Sequence, residues 1–272
     1  GDHRDLHLSI RRQRQMCIRD SNYLFVGRLI ADKGIFELIL AVRDLGEIVV
    51  VAPAHPQSGM GHAITVGDTL KIKKSQIFKN IEAYECSGTP ADCVKLAKCQ
   101  ILKGRRVDLL LSGINHGSNT SINVLYSGTM GAAIEGAIEG TSSIGFSLCD
   151  YDPKGNFSHG LPYVVKIVKE VLRKGLPKNV ALNVNIPAMS DEQIRGIKIC
   201  RQADTRWQED FDLRIDPYGR DYYWMVGNLI NNDQGEDHDE WAIKNNYLSI
   251  VPCQFDLTSY EAIAEMNADW NF

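Results

Sequence analysis

The chain has 272 residues, of which 44% are hydrophobic and 24% charged, and its net charge is −4. That balance suits a globular protein with a sizeable core and gives no general attraction to nucleic acid or to a membrane surface. No window of about 18 apolar residues occurs, so no membrane span is expected, and no charged start followed by an apolar stretch reads as a signal peptide.

Residues 1–21 differ from the rest. The run from Arg11 to Ser21 is basic and lacks a usable periodicity. It reads either as a basic arm or as a non-native leader, since Gln15-Met16-Cys17-Ile18-Arg19-Asp20-Ser21 resembles translated sequencing-adapter read-through. Residues 23–26 predict a short buried strand, and residues 35–45 a helix with Gly46 at its C-cap. The β-branched run 48–51 predicts a strand of a parallel sheet, and Pro53, Pro56 and Gly59 mark the loop after it. Thr89 with Pro90 behind it predicts a helix N-cap, with Asp92 in the first turn. Residues 107–111 predict a strand that ends in a polar loop, 112–119. Tyr126-Ser127-Gly128-Thr129 then opens a helix of small apolar residues. Residues 143–146 predict a strand, 161–173 a helix and 180–186 a further strand.

Strands and helices alternating at this spacing predict an α/β fold, a Rossmann-like open sheet with helices on both faces. After Pro187 the pattern changes. Short strands are expected at 197–201, 222–226 and 248–251, with a solvated acidic loop at 231–240 and Thr258 capping a last helix. The expected organisation is a single domain over 22–272, with a core over about 22–190 and a β-rich extension over about 191–272. Seven dispersed cysteines without a CxxC pair predict reduced thiols and a cytoplasmic location.

Three loops follow strands and are expected to converge at one edge of the sheet: 57–62, 112–119 and 126–131. Backbone N–H groups at the head of the helix after Ser127, with hydroxyls beside them, suit a phosphate. Ser58 and Asn115 offer neutral oxygens that can complete the shell of a hard divalent cation, or simply hydrogen-bond within their loops. His62 and His116 are either a general acid for a leaving alkoxide or bystanders. Glu135, on the small-residue helix, is expected to order a loop by hydrogen bonds. No GxSxG elbow, P-loop or HExxH motif occurs.

Taken together, several segments resemble the SurE family, 5′/3′-nucleotidases that hydrolyse nucleoside monophosphates with a divalent metal. They are Val49-Val50-Val51-Ala52-Pro53 with Gln57-Ser58-Gly59, Gly88-Thr89-Pro90-Ala91-Asp92, Ser112-Gly113-Ile114-Asn115-His116-Gly117-Ser118-Asn119 and Tyr126-Ser127-Gly128-Thr129. Asn183-Val184-Asn185-Ile186-Pro187 and Asp216-Pro217-Tyr218-Gly219-Arg220 fit as well. The resemblance implies a C-terminal extension that helps form a homodimer or homotetramer. It implies Ser58 and Asn115 as ligands of Mg²⁺ or Mn²⁺, with Asn119, Ser127, Gly128 and Thr129 around the phosphate. The metal would polarise the phosphoryl group and activate a water.

One departure matters. The family opens with a strand followed by Asn-Asp-Asp-Gly, whose two aspartates supply the anionic half of the metal site. Here Gly27 and Arg28 stand at those positions, and Arg28 brings a positive charge where a cation should sit. Metal binding is therefore expected to be weak, and a catalytically inactive nucleotide- or phosphate-binding oligomer is the alternative function. Residues 23–35 also resemble the start of the nucleotide-sugar domain of retaining GT-B glycosyltransferases, which suggests either a composite chain joined near residues 30–40 or a naturally diverged first strand. A glycosyltransferase needs a second Rossmann domain, for which the chain has no room.

Overall fold

The runs of leucine and β-branched residues become a sheet covered on both faces. In the computed structural model, residues 21–27, 34–152, 155–188 and 193–271 are described. In chain order the strands are β1 (Ser21–Val26), β2 (Gly46–Pro53), β3 (Ile72–Lys74), β4 (Glu82–Cys86), β5 (Leu109–His116), β6 (Ser143–Cys149), β7 (Val180–Pro187), β8 (Gly196–Ile199), β9 (Thr205–Ile215), β10 (Asp221–Asn231) and β11 (Tyr247–Gln254). The helices are α1 (Ile35–Val42), α2 (Pro90–Leu96), α3 (Gly128–Ile138), α4 (Leu161–Lys174), α5 (Asp239–Lys244) and α6 (Tyr260–Asp269).

The main sheet runs β3-β4-β2-β1-β5-β6-β7-β11-β8, and β9 and β10 pair apart from it as a hairpin. β1 lies parallel to β2 on one side and to β5 on the other, with Tyr23 opposite both Ile48 and Leu109. The chain winds outward from β1 through β2 and β4, then returns across β1 to lay down β5, β6 and β7, all parallel. Two pairings break this pattern: β11 runs antiparallel to β7, and β3 antiparallel to β4.

Alternation along each strand sorts its side chains to opposite faces. Tyr23, Phe25 and Leu111 pack with Leu38 of α1 and Val168 of α4. Leu24, Val26 and Leu110 pack on the other side with Cys93 of α2 and Ala132 of α3. Helices therefore cover both faces, as the alternation implied. No helix among the described residues is long and apolar enough to cross a membrane.

Several boundaries differ from expectation. β5 does not stop at Leu111 but continues through Ser112-Gly113-Ile114-Asn115-His116, slipping register against β6 between Ser112 and Asn115. Burial explains this, since Ile114 is a core residue and the backbone of β6 presses close. Gly113 has φ +116, and a Cβ there would lie 2.4 Å from the Phe146 carbonyl oxygen. Gly46 opens β2 instead of capping α1, which ends at Val42 and passes into a 3₁₀ turn, Arg43–Leu45. The acidic segment 231–240 is not merely solvated, because His238 caps α5 and Asp239 is fully buried. Ser259, not Thr258, caps α6, its Oγ accepting from the Ala262 amide. The leader expected over 1–21 lies outside the described residues apart from Ser21, which begins β1.

Phe146 is fully buried in the middle of β6. Phe146→Ala is expected to cost about 3–5 kcal/mol in urea unfolding, because the packed sheet cannot collapse into the space left. A loss under about 1 kcal/mol would contradict this account of the core.

Candidate active site

At β1 the strand order reverses, the point at which an open α/β sheet forms a crevice beyond the carboxyl ends of its strands. A cleft of about 420 Å³ lies there, within the range of small-molecule sites. Gly27, Ser58, Asn115, Asn119, Ser127, Gly128 and Thr129 all line it.

α3 points its N-terminus into the cleft. Ser127 is its N-cap, and Ser127 Oγ accepts from the Met130 amide at 3.1 Å. That use leaves the hydroxyl hydrogen available. The Gly128 and Thr129 amides sit in the first turn, where no intrahelical acceptor exists. The head of α3 thus presents N–H and O–H donors and the positive end of the helix dipole, a setting that favours an anion.

The register slip in β5 brings Asn115 to the cleft. Its Nδ2 donates to the Gly117 carbonyl at 3.1 Å, which leaves Oδ1 for a ligand. Asn119 is placed differently. It is buried; its backbone N–H donates to Asn185 Oδ1 at 2.9 Å, its Nδ2 to Ser147 Oγ at 2.6 Å, and its carbonyl accepts from Asn183 Nδ2 at 2.8 Å. Asn119 therefore ties the loop to β6 and β7 and reaches the cleft with its amide nitrogen already engaged.

Ser58 is exposed on the loop after β2. That loop is fastened just before α3 by the Gly61 amide on the Tyr126 carbonyl at 3.0 Å, and to α3 itself by His62 Nε2 on Glu135 Oε2 at 2.8 Å. Lys95 Nζ donates to the other Glu135 oxygen at 2.6 Å, a bond that raises the Lys95 pKa above its ordinary value. His62 and Glu135 act on the loop, outside the cleft. His116 does line the cleft: its ring meets Phe157 edge-on at 4.8 Å, and both ring nitrogens are buried without a hydrogen-bond partner.

Behind the cleft lies a second support. Asp239 Oδ2 accepts from the Ser121 amide at 2.8 Å, and its Oδ1 from the Ala203 and Glu240 amides at 3.0 and 2.9 Å. Burial pushes the Asp239 carboxyl above the usual range, against the lowering effect of those three amides. Ser121 Oγ also bonds the Ala203 carbonyl and meets Thr205 Oγ1. The site loop and the start of β9 are thereby joined.

The donor set does not fit a divalent metal. No carboxylate lines the cleft, and no group of three His, Cys, Asp or Glu stands together, among the described residues. Neutral oxygens from Ser58 and Asn115 are too few and too weak for Mg²⁺ or Mn²⁺. At Gly27 an added Cβ would lie 2.9 Å from the Gly113 carbonyl oxygen and 3.2 Å from Ile35 Cδ1, so a side chain there needs a backbone shift. Arg28 lies outside the described residues.

Among the cleft residues that escaped the sequence reading are two aromatics, Tyr151, just after β6, and Trp207 on β9. The available signals were an aromatic directly following a parallel strand and a lone indole inside the polar run from Thr205 to Asp212.

A family profile described as "Survival protein SurE" matches residues 30–209. The chain is 60% identical over 239 residues to a protein of Cytophaga hutchinsonii named 5′-nucleotidase SurE, covering 88% of this chain and 92% of that one. A protein of the same name from Flavobacterium psychrophilum is 54% identical over 243 residues, covering 89% and 94%. The crystal structure of the SurE protein from Aquifex aeolicus superposes with a TM-score of 0.77 at 38% identity, covering 91% of this chain and 98% of that one.

Glu135→Ala removes the acceptor shared by His62 and Lys95. It is expected to lower stability by roughly 1–3 kcal/mol and to speed limited proteolysis within residues 54–62. Unchanged cleavage of that loop would show that the Glu135 bonds do not hold it.

Proposed function

The chain belongs to the SurE family, and from that premise we propose that its cleft receives a nucleoside monophosphate, with the phosphate at the head of α3. The reaction is hydrolysis of the phosphomonoester, the 5′-nucleotidase activity for which the relatives are named. One observation carries the reading: the Ser127 hydroxyl and the Gly128 and Thr129 amides meet Asn115 and Ser58 in one cleft.

In this reading the chain's own groups bind and orient. The first-turn amides and the Ser127 hydroxyl donate to phosphate oxygens, and the helix dipole offsets part of their charge. Asn115 keeps its carboxamide oxygen towards the cleft, while Asn119 keeps the loop on the sheet. A divalent ion, Mg²⁺ or Mn²⁺, would supply Lewis acidity, and Ser58 and Asn115 would be the oxygen donors left to hold it. With Gly27 and Arg28 in place of two carboxylates such an ion would be bound weakly, and turnover would be slow. The carboxylate-free lining also favours a second reading, a nucleotide- or phosphate-binding oligomer without catalysis.

The hairpin supports self-association. Phe211 pairs with Met225 and Leu213 with Tyr223 across β9 and β10, and all four are exposed on one face. A homodimer or homotetramer buries that face. The described cysteines are free thiols, which fits a cytoplasmic location.

The test is phosphate release from nucleoside monophosphates with Mn²⁺ or Mg²⁺, comparing this chain with the paired variant Gly27→Asp/Arg28→Asp. Slow release is expected from the chain, and faster release from the variant wherever the backbone at residue 27 yields. Equal, fast release from both would refute the metal argument. Separately, Ser127→Ala is expected to weaken binding of inorganic phosphate about tenfold, the loss of one charge-assisted hydrogen bond.

A further inference from the structure

Resting on the phosphate seat proposed above, we infer that Trp207 and Tyr151 form a stacking seat for the nucleobase, which makes the cleft select nucleotides over simple sugar phosphates. Both rings line the same cleft as the head of α3 and are solvent-exposed, Trp207 by 36% and Tyr151 by 73%. Each ring nonetheless has a defined neighbour.

Trp207 Nε1 donates to Asn123 Oδ1 at 2.8 Å. Asn123 belongs to the 3₁₀ turn Ser121–Tyr126 that runs directly into Ser127. Two residues before Trp207, Thr205 meets Ser121 Oγ, and Ala203 is held by Ser121 and Asp239. One turn therefore positions both the indole and the phosphate donors. The Tyr151 ring lies against Gly117, which has φ +93 and where a Cβ would come within 2.7 Å of Tyr151 Cε1. Burial raises the pKa of the Tyr151 hydroxyl, against a lowering effect of the Ser118 amide. With the indole N–H engaged and the phenol ring set against Gly117, the two rings offer faces.

A face recognises any base, since every base presents a π-surface of its own. The indole N–H and the Asn123 oxygen are already paired with each other and do not read base edges. The seat therefore separates nucleotides from ribose phosphates, and tolerates purines and pyrimidines alike.

The experiment is calorimetric titration of the full chain, with Mn²⁺ present, against adenosine 5′-monophosphate and ribose 5-phosphate. The nucleotide is expected to bind about tenfold tighter or better. Trp207→Leu and Tyr151→Leu are each expected to shrink that margin while leaving ribose 5-phosphate unchanged, and Trp207→Phe to restore most of it. In wild type, adenosine 5′-monophosphate should quench indole fluorescence, and Trp207→Phe should abolish the quenching. Equal binding of the two ligands to wild type overturns the aromatic seat and leaves the phosphate seat standing. Binding of neither overturns both. A leucine variant that loses both ligands together, or that changes oligomeric state in gel filtration with no selective loss of the nucleotide, assigns its ring to packing and overturns the seat.

Discussion

β1 is hydrogen-bonded along both edges to parallel strands laid down at different times, β2 immediately and β5 after the chain has gone out to β4 and back. Parallel pairing demands a crossover over a face of the sheet, and the two windings leave β1 in opposite directions. The cleft lies beyond the carboxyl ends of these strands, where the strand order reverses. The loop after β2 closes one side, the slipped end of β5 another, and the head of α3 faces in.

Much of this was legible in the residues. The β-branched runs marked the parallel strands, and Ser127-Gly128-Thr129 marked a helix head suited to anions. What escaped has physical causes. Residues 112–116 carry loop-like composition, yet pairing with β6 and the burial of Ile114 keep them in the sheet, so tertiary contact overrides local preference. β9 alternates Phe211, Leu213 and Ile215 with charged neighbours but buries neither face within this chain, so burial gave no cue. Asp239 is one acid among several in its segment, and only the Ser121 and Ala203 amides, far away in sequence, distinguish it. Asn119 was grouped with the phosphate loop by motif. Its bonds to Ser147, Asn183 and Asn185 span whole strands and helices and leave no local trace.

Under the proposed function, binding and catalysis would draw on different parts of the same cleft. The amide donors proposed for a phosphate come from backbone that the fold places regardless of side chains. The anionic half of a metal site would depend on two particular side chains at the end of β1. Gly27 supplies none, and its backbone is packed closely on Gly113. The family profile begins at residue 30, just past that point. In the proposed reading, the donors for a phosphate remain where the carboxylates for a metal are missing.

The hairpin has an asymmetry of its own. Its two strands have 11 residues each and pair only with one another. A two-stranded ribbon is marginal in water when nothing packs on it. Near Thr205 and Trp207 it is held by Ser121 and Asn123, whereas at the far turn Asp216 bonds its near neighbours Tyr218, Gly219 and Arg220. Local unfolding therefore starts at the tip and becomes steadily harder towards the root. In an isolated protomer, backbone amides near Asp216 exchange with solvent long before those beside Trp207. The bonds that set an indole at the mouth of the cleft thus also divide the ribbon into a fixed root and an arm that opens first.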